Sequence, residues 1–253
     1  MSDWLEPVRT RLEARRTPLT VFIRDDDAGW DDDGLLRLLE VADRYDAPLD
    51  LAAIPAAIDE RLARELRSRL DVPCGRLAVH QHGFAHVNHE PVGRKCEFGP
   101  ARSRDQQRHD LEAGRRRLED AIGRAADGIF TPPWNRCTSI TVECLLDLGF
   151  DTLSCDITAP QTAQSGLAMR PVHLDWTGRH GAKNGAVDWS RRIAATLGPA
   201  ESPVGIMLHH AAMTDTDRRM FGDLLAVLTR HERVNVCGMM NAGTNRSRTR
   251  GAA

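Results

Sequence analysis

The chain has 253 residues, with 34 Lys and Arg against 36 Asp and Glu and a formal net charge of -2, so no long-range field draws it to nucleic acid or to an anionic membrane. A chain of this length buries a good-sized core and suits one α/β barrel or one doubly wound sheet. No run approaches the roughly 20 apolar residues that cross a bilayer, and the opening MSDWLEPVRTRLEARR lacks the unbroken apolar stretch of a secretory leader, so a cytoplasmic protein is expected.

Trp4, Val8 and Leu12 recur at helical spacing over residues 4–16, a short lead-in helix that ends near Pro18. Residues 19–23 form an apolar strand that delivers Arg24, Asp25, Asp26 and Asp27 at its tip. A helix follows over 34–45, with Asp31, Asp32 and Asp33 as capping acids that fit the macrodipole. The alternation continues with strands at 48–54, 75–79, 128–131, 150–155, 167–176, 204–208 and 234–236. Helices are expected at 56–70, 103–122, 139–148, 187–197 and 217–231. About seven or eight strands alternating with helices predict a distorted parallel β/α barrel, with a doubly wound sheet as the other arrangement. The domain spans 18–240 after the lead-in segment 1–17, and 241–253 lacks apolar periodicity and reads as a tail.

The six cysteines, Cys74, Cys96, Cys137, Cys144, Cys155 and Cys237, include no C-x-x-C pair and are read as reduced thiols, mostly buried. The arginines of 103–122 are interspersed with acids, which favours a solvated helix over a phosphate patch. The densest chemistry is HQHGFAHVNH, with His80, His82, His86 and His89 in ten residues. His82 and His86 are four apart, so on a helical turn both rings face one ion, and a carboxylate from Asp27 completes three protein ligands with a position open to water. Three adjacent carboxylates after a buried strand repel unless a cation or Arg24 neutralises them, and either register of the triplet can supply the ligand. The polar clusters after residues 23, 79, 130 and 208 all fall at strand carboxyl ends, where α/β folds place their sites.

In order and spacing these blocks resemble the motifs of the polysaccharide deacetylases, metal-dependent carbohydrate esterases that include chitin and peptidoglycan deacetylases. FIRDDDAGW is similar to the first motif, which implies Asp26 as base and Asp27 as metal ligand, or Asp25 and Asp26 in the shifted register. HGFAH resembles the histidine ligand pair, His82 and His86. FTPPWN keeps Pro132, Pro133 and Trp134 of the third motif, and Asn135 beside them is expected to line the pocket. It departs at Thr131, where the family has an arginine, and Arg24 is the residue expected to supply that charge. HLDW resembles the fourth motif, so Asp175 would orient the acid and Trp176 would join Trp134 beneath a sugar ring. MLHH resembles the fifth, with His209 or His210 as the acid.

The resemblance implies a divalent metal, zinc in most of the family, and hydrolysis of an N-acetyl or related N-acyl group. A cytoplasmic location would favour a small acylated sugar or sugar precursor over an insoluble polymer. Hydrolysis of a non-sugar or cyclic amide, and a catalytically silent carbohydrate-binding protein, are the competing expectations.

Overall fold

The strand that carries the aspartates is also the one around which the sheet is assembled. The computed structural model describes residues 3–72, 76–159, 166–178, 186–198 and 203–243. Strand β1 (Leu19–Ala28) is followed by β2 (Leu49–Ala53), β3 (Leu77–His82), β4 (Ile129–Thr131) and the two-residue β5 (Thr152–Leu153). Then come β6 (Ala168–Met169), β7 (Val172–Asp175), β8 (Val204–His209) and β9 (Val234–Val236). Every pairing is parallel, in the order β6-β5-β4-β3-β2-β1-β8-β7, with β9 on the amino-terminal part of β1.

The expected single extended segment at 167–176 is divided at Pro171. Its first half pairs with β5 and its second with β8, and a bridge between Asp156 and Val172 joins the two. One interrupted segment therefore closes the curl, and this is the distortion of the barrel. Proline has no N–H to contribute to a ladder, which accounts for the break.

The helices are α1 (Glu6–Glu13), α2 (Asp32–Arg44), α3 (Glu60–Leu70), α4 (Arg104–Ile122), α5 (Ser139–Asp147), α6 (Ala186–Leu197) and α7 (Asp215–Arg230). Their starts follow side-chain chemistry. Asp31 accepts from the Gly34 N–H, Asp59 from Leu62, and Ser103 with Gln106 forms a reciprocal capping box on α4. The expected helix at 56–70 thus begins at residue 60, where Asp59 caps it. Gly123 closes α4 at φ 71, a left-handed position suited to glycine.

Strand alternation puts Val21, Ile23, Leu49, Leu51, Val204, Ile206 and Leu208 outward, in one core with Leu35, Leu38, Leu62, Leu66, Phe221 and Leu224 of the helices. A second core between α4, α5 and β4 stacks Phe98, Phe130 and Phe150 edge to face. The lead-in helix α1 packs on the outside, and Arg15 beyond it donates to the Leu197 and Gly198 carbonyls at 2.5 and 2.9 Å. At the amino-terminal mouth, both oxygens of buried Asp50 accept from the Met239 N–H.

Cys96, Cys144 and Cys155 are buried, and Cys137 and Cys237 are partly so; Cys74 lies outside the described residues, as does 244–253 of the expected tail. The arginines of α4 are largely engaged: Arg104 pairs with Asp147, Arg116 with Glu112, and Arg115 and Arg117 donate to backbone carbonyls. No helix among the described residues is long and apolar enough to cross a membrane.

Candidate metal centre and active site

β1 runs past residue 23 to Ala28, so the three aspartates lie on the strand itself. Alternation sends Arg24 and Asp26 into the barrel and Asp25 out to the helices. Asp27 breaks the pattern: its φ is 71, and the register against β2 slips between Asp25 and Ala28. A left-handed non-glycine residue at a bulge costs conformational energy and persists where the surroundings fix it. Here it turns the Asp27 carboxylate to the same side as Asp26, toward the histidines.

His82 ends β3. Its Nδ1 lies 2.9 Å from the Thr131 carbonyl, which only accepts, so Nδ1 carries the proton and Nε2 faces the site. His86 is not on a helical turn with His82, as the spacing suggested. It sits in a loop at φ 56, after a bend at Gly83 whose φ is 58. The loop folds around Glu97, a fully buried carboxylate that accepts from the Phe84 and Ala85 N–H groups at 3.1 and 2.8 Å. A Cβ on Gly83 would stand 2.0 Å from Glu97 Oε2, so this turn needs glycine.

Both imidazole Nε2 atoms stand 3.2 Å from Asp27 Oδ1, and the three ligand atoms lie within 4.8 Å of one another. In a tetrahedral site with bonds of about 2.0–2.2 Å, ligand atoms stand about 3.4 Å apart, so this spacing fits one small divalent ion. Burial alone would raise the Asp27 carboxyl, but its hydrogen bond to His82 and the charges of His82 and His86 hold it down to about 2. Burial and the neighbouring His82 push His86 down to about 4, leaving a neutral ring of the kind a metal requires.

The other two histidines of the run are not ligands. His80 is fully buried, with Nε2 2.9 Å from Thr131 Oγ1, and burial together with the Arg24 charge pushes it down to about 3. His89 is exposed on the following loop.

Asp26 is clasped by Arg24, with Nε 2.7 Å from Oδ1 and Nη2 2.9 Å from Oδ2. The same guanidinium donates to the Ser154 carbonyl and hydroxyl at 3.0 and 2.7 Å and to Asn135 Oδ1 at 2.8 Å. Burial would raise Asp26, but Arg24, with His82 and His209, lowers it, so the carboxylate is ionised. Arg24 thus stands beside the candidate base with a guanidinium, and Thr131, in the arginine position of the third motif, binds His80 and His82 instead.

His209 ends β8 directly opposite Asp26 in the β1–β8 register and is partly exposed. Its Nδ1 is 3.3 Å from Thr177 Oγ1 and 3.9 Å from Asp175 Oδ1, so Asp175 acts on it as a nearby charge and Thr177 as the direct partner.

Two expectations are corrected. His210 cannot be the acid: it is fully buried, with Nδ1 2.6 Å from Asp25 Oδ2 and Nε2 2.5 Å from the Trp30 carbonyl. Burial opposes its charge, but Asp25 outweighs burial and raises it to about 9, making a structural ion pair. That pairing also takes Asp25 out of the shifted ligand register. Trp176 does not floor a sugar site. It is 0% exposed, with its ring edge to face against Trp189 and Phe221 at 5.4 and 5.3 Å.

The aromatic pair at the opening is instead Trp30 and Trp134, which flank the His86 ring at 4.7 and 4.5 Å. Pro133 is buried and packs beneath Gly83. Trp30, Ser154, Glu97 and Thr177 had not been singled out in the sequence. Ser154 and Thr177 lie just past strand ends, a signal that could have found them, whereas nothing local marks Glu97.

No family model matches the chain, and no curated protein matches it by sequence. Among solved structures it is similar to a Mycobacterium smegmatis protein assigned to the polysaccharide deacetylases, at 17% identity over 90% of each chain with a TM-score of 0.62. A family 4 acetyl xylan esterase from Clostridium thermocellum, in complex with cobalt, matches at 14% identity over 88% of this chain and 89% of its own, with a TM-score of 0.58. A family 4 pseudoenzyme from Bacillus anthracis matches at 14% identity over 87% of this chain and 63% of its own, with a TM-score of 0.57. The fold is therefore that of the polysaccharide deacetylases and family 4 carbohydrate esterases, a fold that hosts both active and silent members.

Proposed function

We propose that the protein is a metal-dependent deacylase that removes an acetyl or similarly small acyl group from the amine of a sugar or sugar derivative. The observation that carries this reading is the pairing of Asp26 with His209 across adjacent strand ends, over the convergent Asp27, His82 and His86. A divalent ion held by those three residues, zinc being the expected one, supplies Lewis-acid polarisation of the acyl carbonyl and acidification of a water.

Asp26, kept ionised and oriented by Arg24, accepts the proton of the attacking water. His209, steadied by Thr177 and Asp175, delivers a proton to the departing amine nitrogen, so base and acid approach the scissile bond from neighbouring strands. Trp30 and Trp134 wall the opening and take the apolar face of the sugar ring.

The similarity to a pseudoenzyme makes the silent reading a real competitor, and the missing arginine at Thr131 would favour it. The Arg24 clasp on Asp26 supports the active reading, since it sets a guanidinium beside the proposed base. Elemental analysis before and after chelation, paired with hydrolysis of an acetylated amino sugar and of an aryl acetate, tests the proposal. About one ion per chain with chelator-sensitive turnover is expected. Asp26→Asn should keep the ion and lose turnover, and His82→Ala should lose both. Full activity in metal-depleted protein would overturn the assignment, and bound metal with no turnover of any acyl substrate would establish the silent reading.

A further inference from the structure

Resting on the deacylase reading, we propose that the substrate carries an anionic group, phosphoryl or carboxylate, which Arg94, Lys95 and Arg136 bind beside the metal centre. Three consecutive residues lead from the site to this place. The Trp134 ring packs on His86, Asn135 holds Arg24, and Arg136 lines a cavity of about 390 Å³ whose wall also includes Asn135 and Arg94. Asn135 thus belongs both to the wall of that cavity and, through Arg24, to the candidate site.

Lys95 stands over the other side of the same junction, its Nζ 5.8 Å from the Trp134 ring centroid, and its carbonyl accepts from Arg136 Nη1 at 2.9 Å. That bond ties Arg136 to Lys95, and Arg94 precedes Lys95 in the chain and shares the cavity wall with Arg136. None of them is within ion-pair distance of a carboxylate among the described residues. Arg94 and Lys95 are exposed and Arg136 is partly so, which leaves them accessible to a ligand, and planar guanidiniums suit phosphate and carboxylate oxygens.

Two carboxylates share the cavity wall, and both are turned into local contacts. Glu90 Oε1 accepts from the Ala101 N–H at 3.1 Å, and Asp156 Oδ1 accepts from the Thr158 N–H and hydroxyl at 2.7 and 2.5 Å. Among the described residues the guanidinium of Arg94 has no such engagement. Burial and the proximity of Arg94 lower the proton affinity of Arg136, and Cys96 and Asp156 offset them only in part.

The test compares kcat/KM of the metal-loaded protein for N-acetylglucosamine, its 1-phosphate and 6-phosphate, and N-acetylmuramic acid. At least one anionic substrate should exceed the neutral sugar by about tenfold. The advantage should shrink with added salt and fall toward one in Arg94→Gln and Arg136→Gln; which ester or acid wins identifies the source of the charge. A ratio of one or below in the wild type, or a ratio these variants leave unchanged, overturns the inference while neutral-sugar turnover leaves the deacylase reading standing. Should no acyl sugar react, the deacylase reading is the part that fails. Calorimetry with inorganic pyrophosphate on the chelated protein then decides the anion site alone: binding that Arg94→Gln weakens supports it, and no binding overturns it.

Discussion

Replacing Arg24 with leucine isolates the contact on which the catalytic reading most depends. The side chain is fully buried, and it meets Asp26 through two nitrogens while also serving Ser154 and Asn135. Removing one partner of a buried charge pair leaves the other charge uncompensated, at about 3–5 kcal/mol. Urea unfolding of Arg24→Leu should show a loss in that range. Arg24→Lys, which keeps the charge but not the planar fork, should lose less, and Arg24→Leu combined with Asp26→Asn should recover part of the deficit. Because Arg24 is what holds Asp26 below its ordinary value, its loss lifts the Asp26 pKa. The base is then protonated at higher pH, so the acidic limb of kcat/KM moves upward. A loss under about 1 kcal/mol, the range of surface pairs, with an unmoved acidic limb would refute the reasoning.

The buried His210–Asp25 pair gives a pH signature on stability. The folded His210 value is raised from 6.5 to about 9, so its contribution is fully present below about 6.5 and is lost as pH rises toward 9. At about 1.4 kcal/mol per pH unit this is on the order of 3 kcal/mol, and His210→Gln should flatten that slope in denaturation curves taken across the window. Trp176→Ala should cost about 3–5 kcal/mol of stability as a core truncation. Trp30→Ala should leave stability nearly unchanged and raise KM; equal effects of the two on KM would mean the cleft walls are wrongly assigned. Glu97→Ala releases the loop that presents His86, so chelator competition should show metal affinity weakened about 10–100-fold, whereas unchanged affinity would reduce Glu97 to a packing residue.

Much of the barrel was legible because its strands are bounded by strong signals. The runs ending at Asp27, His82 and His209 are apolar stretches that stop at polar clusters, and the rule that sites lie at strand carboxyl ends gathered them without tertiary information. The helices were found by periodicity and corrected at their starts by caps such as Asp59, which hydrophobic spacing does not report. What escaped the sequence lies where side-chain direction is decided by the backbone. Local spacing suggested a helical turn for His82 and His86. A loop wrapped on Glu97 brings them together instead, and the tertiary contact that fixes this loop comes from a residue 11 positions past His86.

The histidine doublet shows the same limit more sharply. His209 and His210 are adjacent and chemically equal in the sequence, yet strand alternation turns one to the barrel mouth opposite Asp26 and the other outward into the α2 and α7 packing. The same alternation separates Asp26 from Asp25, so each histidine meets its own aspartate across β1 and β8. In one pair the histidine reaches solvent at the barrel mouth; the other is sealed and holds the Trp30 carbonyl that fixes one wall of the cleft. Asp27 would belong to the sealed face by alternation alone, and only its left-handed turn at the bulge carries it to the open one. Two left-handed residues, Asp27 on the strand and His86 in its loop, therefore turn their side chains toward His82, and a substitution that relaxed the Asp27 turn would dismantle the candidate centre without touching a histidine.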